Sequence, residues 1–373
     1  MMRNCTTTIM VILIAGTTAC CTAGADSKFA RWGRQTLEVI ERDHRIEGQS
    51  GYYEDQSRED VSFTWGNAIL LLAYAEAAKV DPAYEEPLEN LHKHIQAYWV
   101  VDKGIGGYDA LPEPREKVDR YYDDNAWIAM AQIDAYHATG KDKYLQAARR
   151  SIQFSLSGMD TESGGIWWRE TWERPRRKSK NTCSVAPTAF ACLRFYEVTK
   201  EKSYLENAKD LLIWLDENLK DEDNIYFDSV RPSGRIGRRK WSYNSAMPMR
   251  CYIVLHKLTG ENKYLEKAVE IAVAAHKRWF DSSTNAIKCE SMFAFTLVEG
   301  WIKLSEATRN PKWKQFAENA MVYVHENVKD PVGRYSKRWD DKNTEPLNRW
   351  NLLFPAATAR AYWALVAANT SCK

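Results

Sequence analysis

Apolar residues recur along most of this chain at helical spacing, in runs separated alternately by short polar turns and by longer mixed segments. The run Tyr204, Ala208, Leu211, Leu212, Leu215 and Leu219 shows the rule, because i, i+3, i+4 spacing lays one apolar stripe along a helix. Five segments of one pattern stand before such runs: KVDPAY at 79–84, TGKDKY at 139–144, TKEKSY at 199–204, TGENKY at 259–264 and TRNPKW at 308–313. Their aromatic anchors at 84, 144, 204, 264 and 313 are 60, 60, 60 and 49 residues apart, a regularity that marks a repeat of helix pairs. First helices are expected over 63–78, 125–138, 184–198, 244–258, 290–306 and 350–368. Second helices are expected over 83–99, 143–156, 203–219, 263–279 and 312–327, with the run 28–44 supplying the sixth. Six hairpins in a ring leave no terminal repeat in need of a cap. The pattern therefore predicts an all-α fold, a single (α/α)6 toroid over 26–373, with the N-terminal helix closing the ring beside the last. An open solenoid is the competing architecture, and it would call for polar caps that the terminal helices lack.

The connections are unequal. Turns from a first helix to its second are short, whereas 47–62, 100–123, 157–183, 220–243, 280–289 and 328–349 are long and rich in Gly, Trp, Tyr, Asp and Arg. Long loops in a compact domain are usually functional, and these must emerge on one face of the ring, so the site is expected in the groove they build.

Composition narrows the chemistry. Lys and Arg number 52 against 50 Asp and Glu, a net charge of +2 that excludes a strongly basic nucleic-acid binder and an acidic disordered chain. The 15 Trp, 19 Tyr and 11 Phe exceed what a core of this size needs and point to an aromatic-lined ligand site. Arg3, the apolar run 8–16 and the small residues after it read as a secretory signal over 1–25, too short to span a bilayer. Two processing patterns compete there. Thr17-Thr18-Ala19 before Cys20 resembles a bacterial lipoprotein box and would attach the protein to a membrane through a lipidated Cys20; Ala23-Gly24-Ala25 fits an A-x-A site and would release it. Either places the mature protein in the cell envelope or outside the cell. Cys183, Cys192, Cys251, Cys289 and Cys372 are scattered and odd in number, so neither a disulfide framework nor a metal site is expected. Cys192 and Cys251 fall in apolar helical runs and read as small buried hydrophobes.

The sharpest local feature is Asp123-Asp124, preceded by Tyr121-Tyr122 and followed by an apolar helix carrying Trp127. An N-cap in an acidic first turn explains one aspartate. Glycoside hydrolysis needs two carboxylates, about 5–5.5 Å apart for retention and further apart for inversion. Close like charges raise one pKa and keep one acid protonated. Asp340-Asp341 forms a rival pair, but no apolar helix follows it, which favours a solvated loop or a rim position.

Four segments, Tyr122-Asp123-Asp124-Asn125-Ala126-Trp127, Gly164-Gly165-Ile166-Trp167-Trp168, Lys180-Asn181-Thr182 and Trp241-Ser242-Tyr243-Asn244, follow the order and repeat context of glycoside hydrolase family 76. The chain resembles that family, the bacterial α-1,6-mannanases and related fungal wall enzymes, across nearly its whole mature length. The resemblance implies an endo-acting, retaining enzyme on α-mannan, with Asp123 as nucleophile and Asp124 as general acid/base. Ser245-Ala246, 287–290 and Val185 depart from the family pattern, on the groove-facing ends of inner helices, and bear on linkage and subsite preference more than on reaction class. Trp167, Trp168 and Trp241 are candidate stacking platforms, and Tyr122 and Trp127 flank the acid pair. Asn181, Asp228, Tyr243 and Asn244 are candidate hydroxyl partners, each also readable as a cap or turn residue.

Two basic clusters, Arg174, Arg176, Arg177, Lys178 and Lys180, and Arg235, Arg238, Arg239 and Lys240, read as solvated loop or as a groove for an anionic glycan, since guanidinium groups bind phosphate well. Three other functions compete: a sugar 2-epimerase, which uses histidines on a similar toroid; a non-catalytic glycan binder; and a transglycosylase working through the same intermediate. His44, His92, His94, His137, His256, His276 and His325 all fall in helix runs or towards the short turns, which argues against histidine chemistry in the groove. No metal or organic cofactor is implied, and a monomer is expected.

Overall fold

Alternation of wholly apolar with one-sided helices organises the molecule into two concentric rings. The computed structural model describes residues 27–171, 174 and 177–370; the expected leader with Cys20, Arg176 and Cys372 lie outside the described residues. Twelve α-helices follow in order among those residues: α1 Lys28–His44, α2 Thr64–Ala78, α3 Glu85–Ile95, α4 Tyr122–Thr139, α5 Asp142–Ser157, α6 Thr182–Thr199, α7 Lys202–Asn218, α8 Ser242–Thr259, α9 Asn262–Trp279, α10 Ser291–Thr308, α11 Pro311–Tyr323 and α12 Leu353–Thr370. Every residue of α2 except Trp65 is buried, whereas α7 buries only Tyr204, Ala208, Leu211, Leu212 and Leu215. A helix buried all round belongs inside and one with a single stripe belongs outside. The even-numbered helices accordingly form the inner ring, each packed on the next, and α12 packs on α2 to close it. The N-terminal α1 lies against α12, as the repeat count requires, and the open solenoid is ruled out.

The repeated sequence segment is the hairpin turn itself. Thr139, Thr199, Thr259 and Thr308 each donate a hydroxyl hydrogen bond to the carbonyl four residues earlier and accept one from the amide two residues later. The residue between, Gly140, Lys200, Gly260 or Arg309, sits at φ +55° to +73°, the left-handed conformation that ends a helix and reverses the chain. In the first repeat Lys79 stands at the threonine's position, and Asp81, the counterpart of Asn310, accepts from the Ala83 amide as Asn310 does from Lys312.

Helix ends depart from expectation where loop residues pair with one another. The second helix expected over 83–99 stops at Ile95, because Trp99–Asp102 (β1) turns into an antiparallel hairpin with Ile105–Tyr108 (β2). The first helix expected at 125 begins at Tyr122, so both aspartates stand inside its first turn. Lys180–Asn181 (β3), Ser229–Val230 (β4) and Ile236–Gly237 (β5) make a small antiparallel sheet on the same face. Among the described residues no helix is long and apolar enough to cross a membrane.

At the opposite end a charged network lines a second cavity and ties the inner helices together. Arg360 of α12 donates to Glu299 of α10 at 2.7 Å, to Glu76 of α2 at 2.8 Å and to Asp134 of α4 at 2.9 Å. Arg250 reaches Glu299 at 2.8 Å, and Lys79 and Arg194 stand beside Asp134 at 3.5 and 3.2 Å.

Candidate active site

Where the inner helices begin, loops and helix starts wall a cleft of about 990 Å³. Segments 47–62, 100–123, 157–183 and 220–243 contribute to the wall; 280–289 and 328–349 do not, which corrects the expectation that all six loops build it. The loop 328–349 is spent on packing, with Trp339 fully buried against Thr358. Asp340 is taken by Arg338 at 2.9 Å and, like Asp341, lies away from the cleft.

Asp123 and Asp124 face the cleft from the first turn of α4. Neither caps the helix: Tyr121 holds the N-cap position and its side chain makes no capping bond. Asn125 fixes the turn by accepting from the Tyr108 amide at 2.7 Å and donating to the Tyr108 carbonyl at 2.9 Å, so one side chain acts as a strand partner for β2. Backbone pairing brings the next loop alongside, with Tyr122 N donating to the Trp168 carbonyl and Trp168 N to the Ser179 carbonyl. Gly164 and Gly165, at φ +66° and +70°, make the turn that leads there; a Cβ on either would meet Trp214 within 2.7 Å.

The two carboxyls differ in their surroundings. Asp123 accepts from the Trp168 indole and from the Asp124 amide, both at 3.1 Å, and Cys183 lines the cleft with it. Burial pushes its pKa up to about 6, and these donors restrain the rise. Burial, then the charges of Asp123, Asp119 and Asp109, push Asp124 well above the carboxylate range. A helix N-terminus favours an anion by about 0.3–1 kcal/mol when exposed, which is too little to offset desolvation here. One member is therefore ionised near neutrality and the other holds its proton.

Asp228 sits beside the start of α6, because Thr182 N donates to its carbonyl at 2.9 Å and Asp228 N donates to Gly237. Burial raises its carboxyl, against hydrogen bonds from Asn244 and Trp241 and the charge of Arg239. Trp127, Trp168, Asn181, Asp228 and Tyr243 line the cleft with the acid pair. Tyr122, Trp167, Trp241 and Asn244 do not. Tyr122 stacks on Phe154 at 5.0 Å, Trp167 lies under Lys178 at 3.7 Å, and Trp241 packs on Phe293 at 4.9 Å while supporting Asp228 from behind. Asn244 is fully buried and donates to Asp228 at 3.4 Å.

Sequence reasoning missed Glu54, Trp65, Tyr121, Cys183, Arg231 and Phe293, all cleft-lining. Phe293 stacks on Tyr243 at 4.4 Å and on Trp65 at 6.0 Å, an aromatic bank assembled from three inner helices. Its signal in the sequence was position alone, the first turn of an inner helix. The positions departing from the family pattern lie behind the cleft. Val185 and Ser245 are the fourth residues of α6 and α8, as Asn67 and Asn125 are of α2 and α4, and both are buried off the lining. Asn67 and Asn125 tie loops to helix starts, and Ser245 does so for the Tyr226 amide at 3.3 Å. Those departures therefore alter scaffold ties. The basic clusters also disperse: Lys180 pairs with Asp160, Lys240 with Asp221 and Asp223, and Arg238 and Arg239 lie over Phe227 and Trp241. Of the two clusters, among the described residues, only Arg177 lines the cleft, joined by Arg115, Lys117 and Arg231. No described histidine lines it, whereas His137 and His256 face the cavity at the other end.

A closed (α/α)6 ring with paired, unequal carboxyls in an aromatic cleft defines a glycosidase-type toroid. Residues 43–297 match glycosyl hydrolase family 76, and the chain belongs to that family. It is 33% identical to a family 76 α-mannanase of Bacteroides thetaiotaomicron, over 93% of this chain and 98% of that one, with a TM-score of 0.88. An α-1,6-mannanase of Salegentibacter, inactivated at two adjacent aspartates and bound to α-1,6-mannotriose, shares the fold at 21% identity, a TM-score of 0.76 and coverage of 91% and 100%. Among curated proteins the chain is 25% identical to the meiotically up-regulated gene 191 protein of Schizosaccharomyces pombe and 24% to cellobiose 2-epimerase of Ruminococcus albus. These matches cover 67% and 56% of this chain and 62% and 59% of the relatives, so the chain spans about three fifths of their length.

Proposed function

We propose that this glycoside hydrolase cleaves α-mannan internally, at α-1,6 linkages, with retention of configuration. The unequal acid pair carries the reading. Asp123, oriented by two donors and the more readily ionised member, attacks the anomeric carbon; Asp124, held protonated by burial and its acidic neighbours, protonates the departing glycosidic oxygen. Asp124 then takes a proton from water, whose attack releases the sugar from Asp123. Consecutive residues on one helical turn suit the shorter separation that retention requires, about 5–5.5 Å. The similarity to a Bacteroides α-mannanase and to a toroid seen with α-1,6-mannotriose supports the substrate, and a cleft of about 990 Å³ suits an oligosaccharide better than a single sugar. Lys117, Arg177 and Arg231 stand on a wall that also carries Glu54, Glu116, Asp119 and Asp228, so a mannan bearing anionic substituents would gain only where those substituents sit beside the cations. Export through the expected leader, free or anchored at Cys20, would bring the enzyme to its polymer.

Product analysis of linear α-1,6-mannan and a branched mannan tests this. Oligosaccharides of several lengths are expected with the wild type and none with Asp123→Asn or Asp124→Asn. Monosaccharide alone would overturn the endo-acting reading, and binding without products would turn the protein into a glycan binder. Cleavage of a phosphorylated mannan is expected to slow with added salt more than cleavage of a neutral one; equal salt response removes the anionic preference.

A further inference from the structure

The second cavity, at the short-turn end of the ring, measures about 1070 Å³ and is lined by seven basic side chains against five carboxylates. Every one of those carboxylates is answered by a cation, and the pairs at mid-depth form an ionic belt. Arg360 of α12 joins Glu76 of α2, Asp134 of α4 and Glu299 of α10. From Asp134 the belt passes to Arg194 of α6 at 3.2 Å, and from Glu299 to Arg250 of α8 at 2.8 Å. All six inner helices are thereby included, yet the belt does not close. Its two ends stand on α6 and α8, which pack on one another, and both ends are arginines. One turn nearer the mouth Glu197 of α6 meets Lys257 of α8 at 3.0 Å, but Lys257 is exposed and a pair of that kind adds little.

The arginine ends carry donors with nothing to donate to. Arg250 is only 7% exposed; its Nη1 donates to Glu299 at 2.8 Å and meets the Met247 sulfur at 3.5 Å, while its Nε is enclosed without an acceptor. Arg194 spends Nη2 on Asp134 at 3.2 Å and Nε on Glu197 at 3.0 Å, which leaves Nη1 over. Both guanidiniums lie against the one ring of Phe190, 4.4 and 5.8 Å from its centroid, so two cations gather around an apolar side chain. A buried donor without a partner is costly, and a guanidinium fork matches the oxygens of a phosphate or carboxylate. We propose that the gap between α6 and α8 is a binding site for a phosphate-type oxyanion, gripped by Arg250 and Arg194, which closes the belt. Burial holds Arg250 below the usual guanidinium range; Glu299 opposes it and Arg360 and Arg194 add to it, the balance a missing anion would correct. The inner helices point their C-termini towards this end, which disfavours an anion in their last turn, but Arg250 is the ninth of the 18 residues of α8 and lies beyond that reach. The cavity leaves room beside the anion for a sugar-sized body.

The test needs no mannan and stands apart from the reaction in the cleft. Calorimetric titration with sodium phosphate, against sodium chloride of equal ionic strength, is expected to give a saturable heat of one anion per chain, with a melting temperature a few degrees higher in phosphate. Arg250→Gln and Arg194→Gln are each expected to weaken that binding about tenfold or more. Arg194 is 21% exposed at its side chain, so its variant keeps the result readable where Arg250→Gln fails to fold. The cleft also carries cations, and Arg231→Gln, the control for them, is expected to bind phosphate as the wild type does. Glucose 6-phosphate as a second probe separates the sources of the anion: binding as tight as phosphate assigns the site to a phosphate monoester, and no binding assigns it to the free anion. A heat no different from that of chloride overturns the proposal. So does phosphate binding that persists in both arginine variants or is lost in Arg231→Gln instead.

Discussion

Helix α4 carries aspartates near both ends, partly buried at the cleft and buried at the other end, and the two ends treat the same side chain in opposite ways. At the loop face, burial raises Asp123, and burial together with acidic neighbours raises Asp124. At the short-turn face, burial also opposes ionisation of Asp134, but Lys79, Arg360 and Arg194 outweigh it and hold its carboxyl well below the ordinary range. Glu76 is lowered against its burial in the same way, by Lys79 and Arg360. Cations on the surrounding helices decide the difference, since desolvation opposes ionisation at both ends and the helix is shared. One end of the toroid is neutralised and holds the ring together; the other is left under-compensated and can do acid–base chemistry.

Substitutions at the two ends should break this comparison in opposite directions. The largest effect is on turnover: Asp123→Asn and Asp124→Asn are each expected to lower kcat about 10³-fold or more, while Asp134→Asn leaves kcat per folded molecule within a few-fold. Next is Arg360→Met, which strands Glu76, Asp134 and Glu299 without their shared partner. It is expected to cost about 3–5 kcal/mol in denaturant unfolding, and a loss below about 1 kcal/mol would show that the network does not hold the ring.

Stability against pH sharpens the contrast on the single helix. Asp124 has a folded-state pKa above its unfolded one, so its burial costs stability as pH rises above the unfolded value. Asp124→Asn is therefore expected to stabilise the protein at pH 7 by on the order of 1–2 kcal/mol, a gain that vanishes towards pH 4. Asp134 has a folded-state pKa below its unfolded one, so its contribution is present above that unfolded value and lost as pH falls. Asp134→Asn is expected to destabilise at pH 7, with the difference shrinking through the acid range. Same-sign shifts in melting temperature for the two variants would sink the assignment of opposite environments. The smallest effect concerns the family departures: Ser245→Ala should cost about 1 kcal/mol by stranding the Tyr226 amide and leave the product pattern unchanged.

Much of this was legible because it is local. The Thr-x turns at 139, 199, 259 and 308 are short-range hydrogen-bond patterns, and so their repetition in the sequence counted the hairpins. Asp123-Asp124 stood out as a charged pair at the head of an apolar helix, and the structure sets it on the cleft. Roles of single aromatic residues were not legible. Trp167 and Trp168 are neighbours of one type, yet one lies under lysines and the other donates to Asp123, because alternate residues of an extended segment point to opposite sides. Phe293 carried no mark in the sequence, since its place on the cleft comes from the Tyr243 and Trp65 rings that two other helices bring against it.

The sequence by itself determined the helix pairs, their number and the face on which the long connections emerge, because each follows from periodicity and turn chemistry within a few residues. Only the tertiary structure decided which loops reach the cleft, which basic residues remain on its wall, and why Asp123 and Asp134 on one helix carry their charge so differently. Those outcomes depend on groups that closure of the ring brings together from distant repeats, where burial makes each neighbouring charge or donor count far more than it would in water.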